Sequence, residues 1–169
     1  GVTDESEGCD DGNWFGGDGC DAVCVEEVGF FDAETNENPG IANVLPDVDS
    51  IKIYGSLTSD DIDCFTFDVP HNGYVSVFPE VTSSQCVGDT ILTLYGQVED
   101  VWEEIVQDDN SGDAFCPILD PQWNLDLRYL RASTYAVCIS AFMGHPVDAY
   151  GFELVVSGDS CGTGVFEVT

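Results

Sequence analysis

Positive charge is nearly missing from this chain. Of 169 residues only Lys52, Arg128 and Arg131 are basic, against 33 Asp and Glu, for a formal net charge of -30. A surface of that sign repels phosphate backbones and anionic headgroups, which excludes nucleic acid and an acidic membrane surface as partners. No hydrophobic run approaches the length of a membrane-spanning helix. With only two histidines and no CxxC pair, the eight cysteines point away from zinc and dithiol redox chemistry and towards disulfides. Catalytic signatures are missing as well: there is no GxSxG, no HExxH and no phosphate-cradling glycine loop. His71 lies in Pro70-His71-Asn72-Gly73 and His145 in Gly144-His145-Pro146, both turn sequences without a nucleophile partner. With so many acids some carboxylate pair always has a glycosidase-like separation, so such a pair carries no information. The chain reads as non-enzymatic.

What is present is a globular composition. Hydrophobic content of 43% and aromatics at 11% exclude a disordered acidic tail, and the length allows one cored domain plus a small satellite. Net charge of this size calls for counter-ions. The acids are bunched in Asp-, Asn- and Gly-rich loops more than spread along the chain, which favours bound calcium over the uniformly acidic surface of a halophile. An even cysteine count in this setting places the protein in an oxidising, secreted or extracellular environment. Starting at Gly1 with no leader-like segment, the sequence reads as a processed form or one excised repeat.

Residues 1–27 are turn-dense and lack apolar periodicity, so they read as a small cystine-rich module held by disulfides and metal. From about residue 28 to 158 short alternating runs are separated by Gly, Pro, Asn and Asp. Strands are expected near Ile51–Leu57, Cys64–Val69, Gly73–Phe78, Thr90–Gly96, Val101–Gln107, Leu125–Leu130, Thr134–Phe142 and Tyr150–Val156. Phe65, Phe67 and Val69 share one strand face, and Tyr135, Val137 and Ile139 another. Eight short strands without a long helix describe an all-β, antiparallel, jelly-roll-like sandwich. Residues 159–169 form a C-terminal tail. The tryptophans Trp14, Trp102 and Trp123 are read as core or edge packing in preference to a sugar-stacking platform.

Two resemblances sharpen this outline. The pieces Glu34-Thr-Asn36-Glu-Asn38-Pro39, Gly55-Ser-Leu57, Asp61-Ile-Asp63-Cys64-Phe65, Asp89-Thr-Ile-Leu92, Asp108-Asp109-Asn110, Ser133-Thr134-Tyr135 and Tyr150-Gly-Phe152 occur in an order that resembles the bacterial pre-peptidase C-terminal domain, over roughly residues 30–157. It departs from that family at Cys64, usually an aromatic, and Ser133, usually Gly. The N-terminal string Cys9-Asp10-Asp11-Gly12-Asn13, Gly17-Asp18-Gly19-Cys20 and Cys24 resembles the Myxococcus-type four-cysteine repeat. The CGxG that opens such repeats is found instead at Cys161-Gly162-Thr163-Gly164.

The first resemblance implies a calcium site from Glu34, Asn36, Asn38 and Asp63, with Asp60 or Asp61 as a second acid. Further clusters are Asp10, Asp11, Asn13 and Asp18, and Asp108, Asp109, Asn110 and Asp113 with Asp89, where acidic turns are the competing explanation. By elimination Cys64, Cys86, Cys116 and Cys138 pair within the sandwich; of the three pairings that four cysteines permit, Cys86–Cys116 with Cys64–Cys138 is the first choice, because Cys86 and Cys116 flank the open end of an expected hairpin. That leaves Cys9, Cys20, Cys24 and Cys161 for the split module, the alternative being that Cys161 ties the tail to its own body. If one copy's tail completes the next copy's head, with Val165, Phe166 and Val168 adding a strand, the chain is a subunit of a head-to-tail extracellular filament or array. The alternative is an ancillary domain of a secreted hydrolase that binds polysaccharide or a collagen-like substrate, for which an exposed aromatic strip is expected.

Overall fold

A computed structural model describes residues 29–158, apart from 48, 71, 80, 83, 84, 87 and 113–115, with 81, 82, 85 and 86 by backbone only. The N-terminal module and the C-terminal tail, with their cysteines, acids and apolar strand residues, lie outside the described residues.

Among the described residues eleven strands run in chain order: β1 Phe30–Phe31, β2 Asn43–Val44, β3 Ser50–Leu57, β4 Ile62–Val69, β5 Gly73–Pro79, β6 Val81–Thr82, β7 Gln85–Cys86, β8 Thr90–Val98, β9 Val101–Asp108, β10 Ser133–Ala141 and β11 Val147–Gly158. One sheet has the order β1-β3-β11-β5 and the other β2-β4-β10-β8-β9, with β6 and β7 a separate small hairpin. The long strands pair antiparallel, as the alternating sequence implies, whereas the two-residue strands β1 and β2 join β3 and β4 in parallel. All-β sandwich architecture follows directly from the period-two pattern. Inward residues Ile53, Phe65, Val77, Leu94, Val137 and Leu154 are almost completely buried between the sheets, and burial of this kind contributes roughly 1.5–3 kcal/mol per large side chain. Phe30 of β1 meets Phe65 of β4 edge to face with ring centroids 6.0 Å apart, which ties the two sheets at one end.

Cys64 and Cys138 are directly opposite in the β4/β10 register and form a disulfide with Cα atoms 4.1 Å apart. The Cys64 N–H bonds outward to the Asn36 carbonyl at 3.0 Å, so the cysteines occupy a non-hydrogen-bonded pair, the closer of the two antiparallel spacings. The bond lies on the sheet face opposite Phe65 and Phe67, as the alternation implied, yet both cysteines are buried. Cys116 is disulfide-bonded too; the proposed partner side chain, Cys86, lies outside the described residues.

One expected strand is not a strand. Residues Leu125–Leu127 form a single 3-10 turn, followed by an isolated bridge at Leu130. Leu127 and Leu130 are the buried members and Leu125 is exposed, so the apolar positions repeat every three residues and not every two.

Candidate metal centre

The segment 30–44 leaves the edge of one sheet and joins the edge of the other, crossing one end of the sandwich. Phe30 and Phe31 pair with Ile53 and Tyr54, and Asp32 N–H donates to the Tyr54 carbonyl at 2.8 Å. The Asn36 carbonyl then takes the Cys64 N–H, and Asn43 and Val44 pair with Phe65 and Thr66. Asn43 clamps the crossing in both directions: its Oδ1 accepts from Ala33 N–H at 2.9 Å and its Nδ2 donates to the Ala33 carbonyl at 2.8 Å. This route carries Asp32, Glu34 and Asn36 over the start of β4.

There they meet Asp63. It lies on the core-facing side of β4, in line with Phe65, Phe67 and Val69, where the alternation demands an apolar residue. Carboxylate oxygens of Asp32, Glu34 and Asp63 lie within 4.8 Å of one another. Tyr150, from β11, donates its hydroxyl to Asp63 Oδ2 at 2.7 Å. Asn36 Nδ2 donates to Asp32 Oδ1 at 2.7 Å. Two buried oxygens then remain without a hydrogen bond, Asp63 Oδ1 and Asn36 Oδ1. A buried acceptor left unmade costs about 1–3 kcal/mol, more where the group is charged, so an electropositive centre beside these two oxygens would be stabilising. Gly55 makes the close approach possible: a Cβ there would stand 2.4 Å from the Tyr150 hydroxyl and 2.9 Å from Asp32 Cβ.

Electrostatics agree with the geometry. Burial, opposed by the Tyr150 bond and reinforced by Asp32, Asp61 and Glu34, pushes the Asp63 carboxyl up to about 7. Asp32 is raised by burial and Asp61 against the Asn36 and backbone bonds, and Glu34 by desolvation and by Asp61, Asp32 and Glu37. Burial and the neighbouring Asp63 raise Tyr150, which keeps its phenol protonated as a donor. Three acids that resist ionising together are three acids that a cation would relieve. The donor set is entirely oxygen, from carboxylates and one amide, which suits a hard divalent ion such as calcium and not zinc or copper.

Of the residues that the sequence singled out, Glu34, Asn36 and Asp63 converge. Asn38 Oδ1 instead accepts from Gly40 N–H at 3.0 Å, in a local turn. Asp61 Oδ2 accepts from Thr58 N–H at 3.0 Å and its Oδ1 from Ile62 N–H at 3.0 Å, so it organises the turn entering β4 and acts on the centre through its charge. Asp60 is an exposed turn residue with φ of 66°. Asp32 was missed; Asp32-x-Glu34-x-Asn36 is the alternation that could have found it. Asp108 Oδ2 accepts from Ser111 N–H at 3.1 Å and Ile118 N–H at 2.8 Å and its Oδ1 from the Ser111 hydroxyl, the behaviour of a turn organiser, with Asp109 following in the same loop. Asp10, Asp11, Asn13, Asp18 and Asp113 lie outside the described residues.

No protein-family model matches this chain, and no curated protein matches it. Among solved structures it is similar to PliG of Aeromonas hydrophila, a periplasmic inhibitor of g-type lysozyme, at 14% identity over 69% of this chain and 96% of that one, with a TM-score of 0.45. It is similar to the Yersinia pseudotuberculosis-derived mitogen at 14% identity, over 68% of this chain and 91% of that one, TM-score 0.45. It is also similar to the pre-peptidase C-terminal domain of a Bacillus anthracis collagenase at 20% identity, over 72% of this chain and all (100%) of that one, TM-score 0.41. None of these likenesses assigns the chain an activity.

Proposed function

We propose that this is a calcium-binding, non-enzymatic β-sandwich unit of an extracellular assembly, in which the ion pins the segment entering the sandwich to the body of the domain. The observation that carries this reading is the pair of buried, unpartnered oxygens, Asp63 Oδ1 and Asn36 Oδ1, beside the carboxylates of Asp32 and Glu34. Calcium takes six to eight oxygen ligands in flexible loops. Asp32, Glu34, Asn36 and Asp63 would supply the protein share, with the ion replacing the protons that the crowded acids otherwise retain. Residues 1–27, expected from sequence to be a cystine-rich module, precede β1 in the chain. The cystine Cys64–Cys138 fits an oxidising, extracytoplasmic location. Head-to-tail linkage through the split cysteine repeat supplies the assembly part of the reading, and it rests on sequence.

The test is the melting temperature of the full chain in calcium and in chelator at matched ionic strength. A ligand held only by the folded state contributes about 2.7 kcal/mol at a hundredfold excess over its dissociation constant. Equal melting temperatures would overturn the calcium reading. Negative-stain microscopy in both conditions tests the linkage separately, since discrete monomers would remove the filament and leave the ion in place.

A further inference from the structure

The two halves of the metal centre come from different parts of the fold, and one side chain outside the donor set joins them. Asp63 is fixed by its place in β4 and by the Tyr150 hydroxyl, and Asp32 by the Asn36 amide. Glu34 is exposed and lies in the crossing between the two-residue strands β1 and β2. Its backbone is secured at the preceding residue. Asn43 Oδ1 accepts from Ala33 N–H at 2.9 Å, and Asn43 Nδ2 donates to the Ala33 carbonyl at 2.8 Å. Ala33 stands between Asp32 and Glu34 in the chain.

Both bonds go to one residue, which decides what they hold. A hydrogen-bonded pair in an antiparallel ladder exchanges N–H and C=O bonds in the same way, so the Asn43 amide stands in for a strand neighbour. It favours the extended backbone in which side chains two apart face one way, here Asp32 and Glu34. The other end of the clamp is tied to the strand that carries Asp63. The Asn43 backbone pairs with Phe65, two residues beyond Asp63 on β4, and the Asn43 carbonyl accepts from the Thr66 hydroxyl at 3.4 Å. The chain reaches that position through the turn at Asn38, whose carbonyl accepts from Ile41 N–H at 3.1 Å. Asn43 thus joins both contributions to the centre, with its own oxygen and nitrogen engaged on Ala33.

Repulsion makes such a clamp consequential. The carboxylates of Asp32, Glu34 and Asp63, within 4.8 Å of one another, repel whenever they are ionised together. Without an ion, that force drives the crossing segment away from β4. A neutral amide opposes it and adds no charge of its own. Resting on the calcium reading above, we propose that Asn43 is a positioning residue of the metal centre, holding Asp32 and Glu34 against Asp63 before the ion arrives. Little ordering then remains to be done on binding. The plainer alternative makes Asn43 a surface fastening that supports the fold alone.

Titration calorimetry of the full chain with calcium chloride separates the two, with Asp63→Asn as the blank that subtracts any ion bound elsewhere. Asn43→Ala is expected to bind calcium at this centre roughly ten- to a hundredfold more weakly, the usual loss when a group that orients a metal ligand is removed. Asn43→Thr keeps a strand-favouring residue in β2 but not the paired bonds, and a similar loss is expected. Thr134→Val removes a 2.7 Å bond to Asp68 at the other end of β4 and should lower stability without changing affinity. Hydrogen exchange in chelator gives a second readout: in Asn43→Ala the amides of residues 33–36 are expected to exchange faster, while those of residues 64–69 stay protected. Affinity equal to wild type in both Asn43 variants, or unchanged exchange at residues 33–36, would overturn the proposal and leave the calcium reading standing. No calcium binding by wild type beyond that of Asp63→Asn would overturn both.

Discussion

The Tyr150 hydroxyl and Asp63 Oδ2 are joined by a 2.7 Å hydrogen bond between two buried residues 87 positions apart, one from each sheet. That bond satisfies one carboxylate oxygen and leaves the other bare. Replacing the phenol, as in Tyr150→Phe, leaves both oxygens of a buried acid without their protein partner. The expected cost is about 1–3 kcal/mol in calcium-free protein, read by denaturant unfolding. In saturating calcium the loss should be smaller, because the ion engages the same carboxylate.

Asp63 also sets how metal-free stability varies with pH. Its folded value of about 7 lies above the ordinary 3.8, so between these values the folded state holds a proton that the unfolded state has released. Stability from this group is therefore complete below about 3.8, declines as pH rises, and is gone above about 7. Asp32 and Glu34 are shifted in the same direction and add to the slope. In chelator, unfolding free energy is expected to fall by a few kcal/mol between about pH 4 and 7. Calcium competes with those protons, so in calcium the fall should flatten or reverse. Denaturation curves at three or four pH values in each condition decide it, and parallel curves would show that proton and ion do not share the site.

Substitution of the same acid separates stability from binding. Asp63→Asn keeps the shape, removes a buried charge that its neighbours repel, and still accepts from Tyr150. At neutral pH in chelator this variant is expected to melt no lower than wild type, and its response to calcium should be lost. A variant that melts lower but responds fully would place the ion elsewhere.

The strands were legible from sequence because the sandwich core imposes a period of two, and Phe65, Phe67, Val137 and Ile139 obey it. The cystine between Cys64 and Cys138 was reached by elimination, and its two side chains fall on the face opposite those aromatics. Leu125–Leu130 misled because an alternation of apolar residues over so few positions fits a strand and a tight turn equally well. Glu34, Asn36 and Asp63 were named through the family resemblance, and they converge at the point where Asp63 interrupts an apolar face. Asp32 was passed over although it alternates with Glu34 and Asn36, because its placement depends on the two-residue parallel pairing of Phe30 and Phe31 with β3, too short to read from the sequence. Trp123, expected as core or edge packing, is instead 74% exposed, in a loop bridged to β5 at Leu119 and Leu130.

Gly55 offers a test that touches no ligand atom. A methyl group at this position would collide with the Tyr150 hydroxyl and with Asp32 Cβ, at 2.4 and 2.9 Å. A phenol ring buried on all sides cannot swing away, so the strain passes to Asp63 and to the crossing segment. Gly55→Ala is expected to cost about 1–3 kcal/mol, the usual penalty for overpacking, and to weaken calcium binding in titration calorimetry. An unchanged affinity would mean that Asp32 can retreat from Tyr150 without disturbing the centre.

The β8–β9 hairpin carries its own strain. Val98 pairs with Val101 across a two-residue turn, and both central residues, Glu99 and Asp100, have positive φ, 49° and 65°. That is the type I′ geometry that suits the right-handed twist of a hairpin, and it prefers Asn followed by Gly. Neither native residue adopts it freely, and two adjacent carboxylates at one tip add repulsion on a chain already strongly acidic. The double variant Glu99→Asn/Asp100→Gly is expected to gain about 0.5–1 kcal/mol in unfolding free energy, with the calcium response unchanged because the tip lies on the sheet edge opposite β2 and β4. A loss of stability would show that the native pair makes contacts at the tip worth more than the backbone strain it bears.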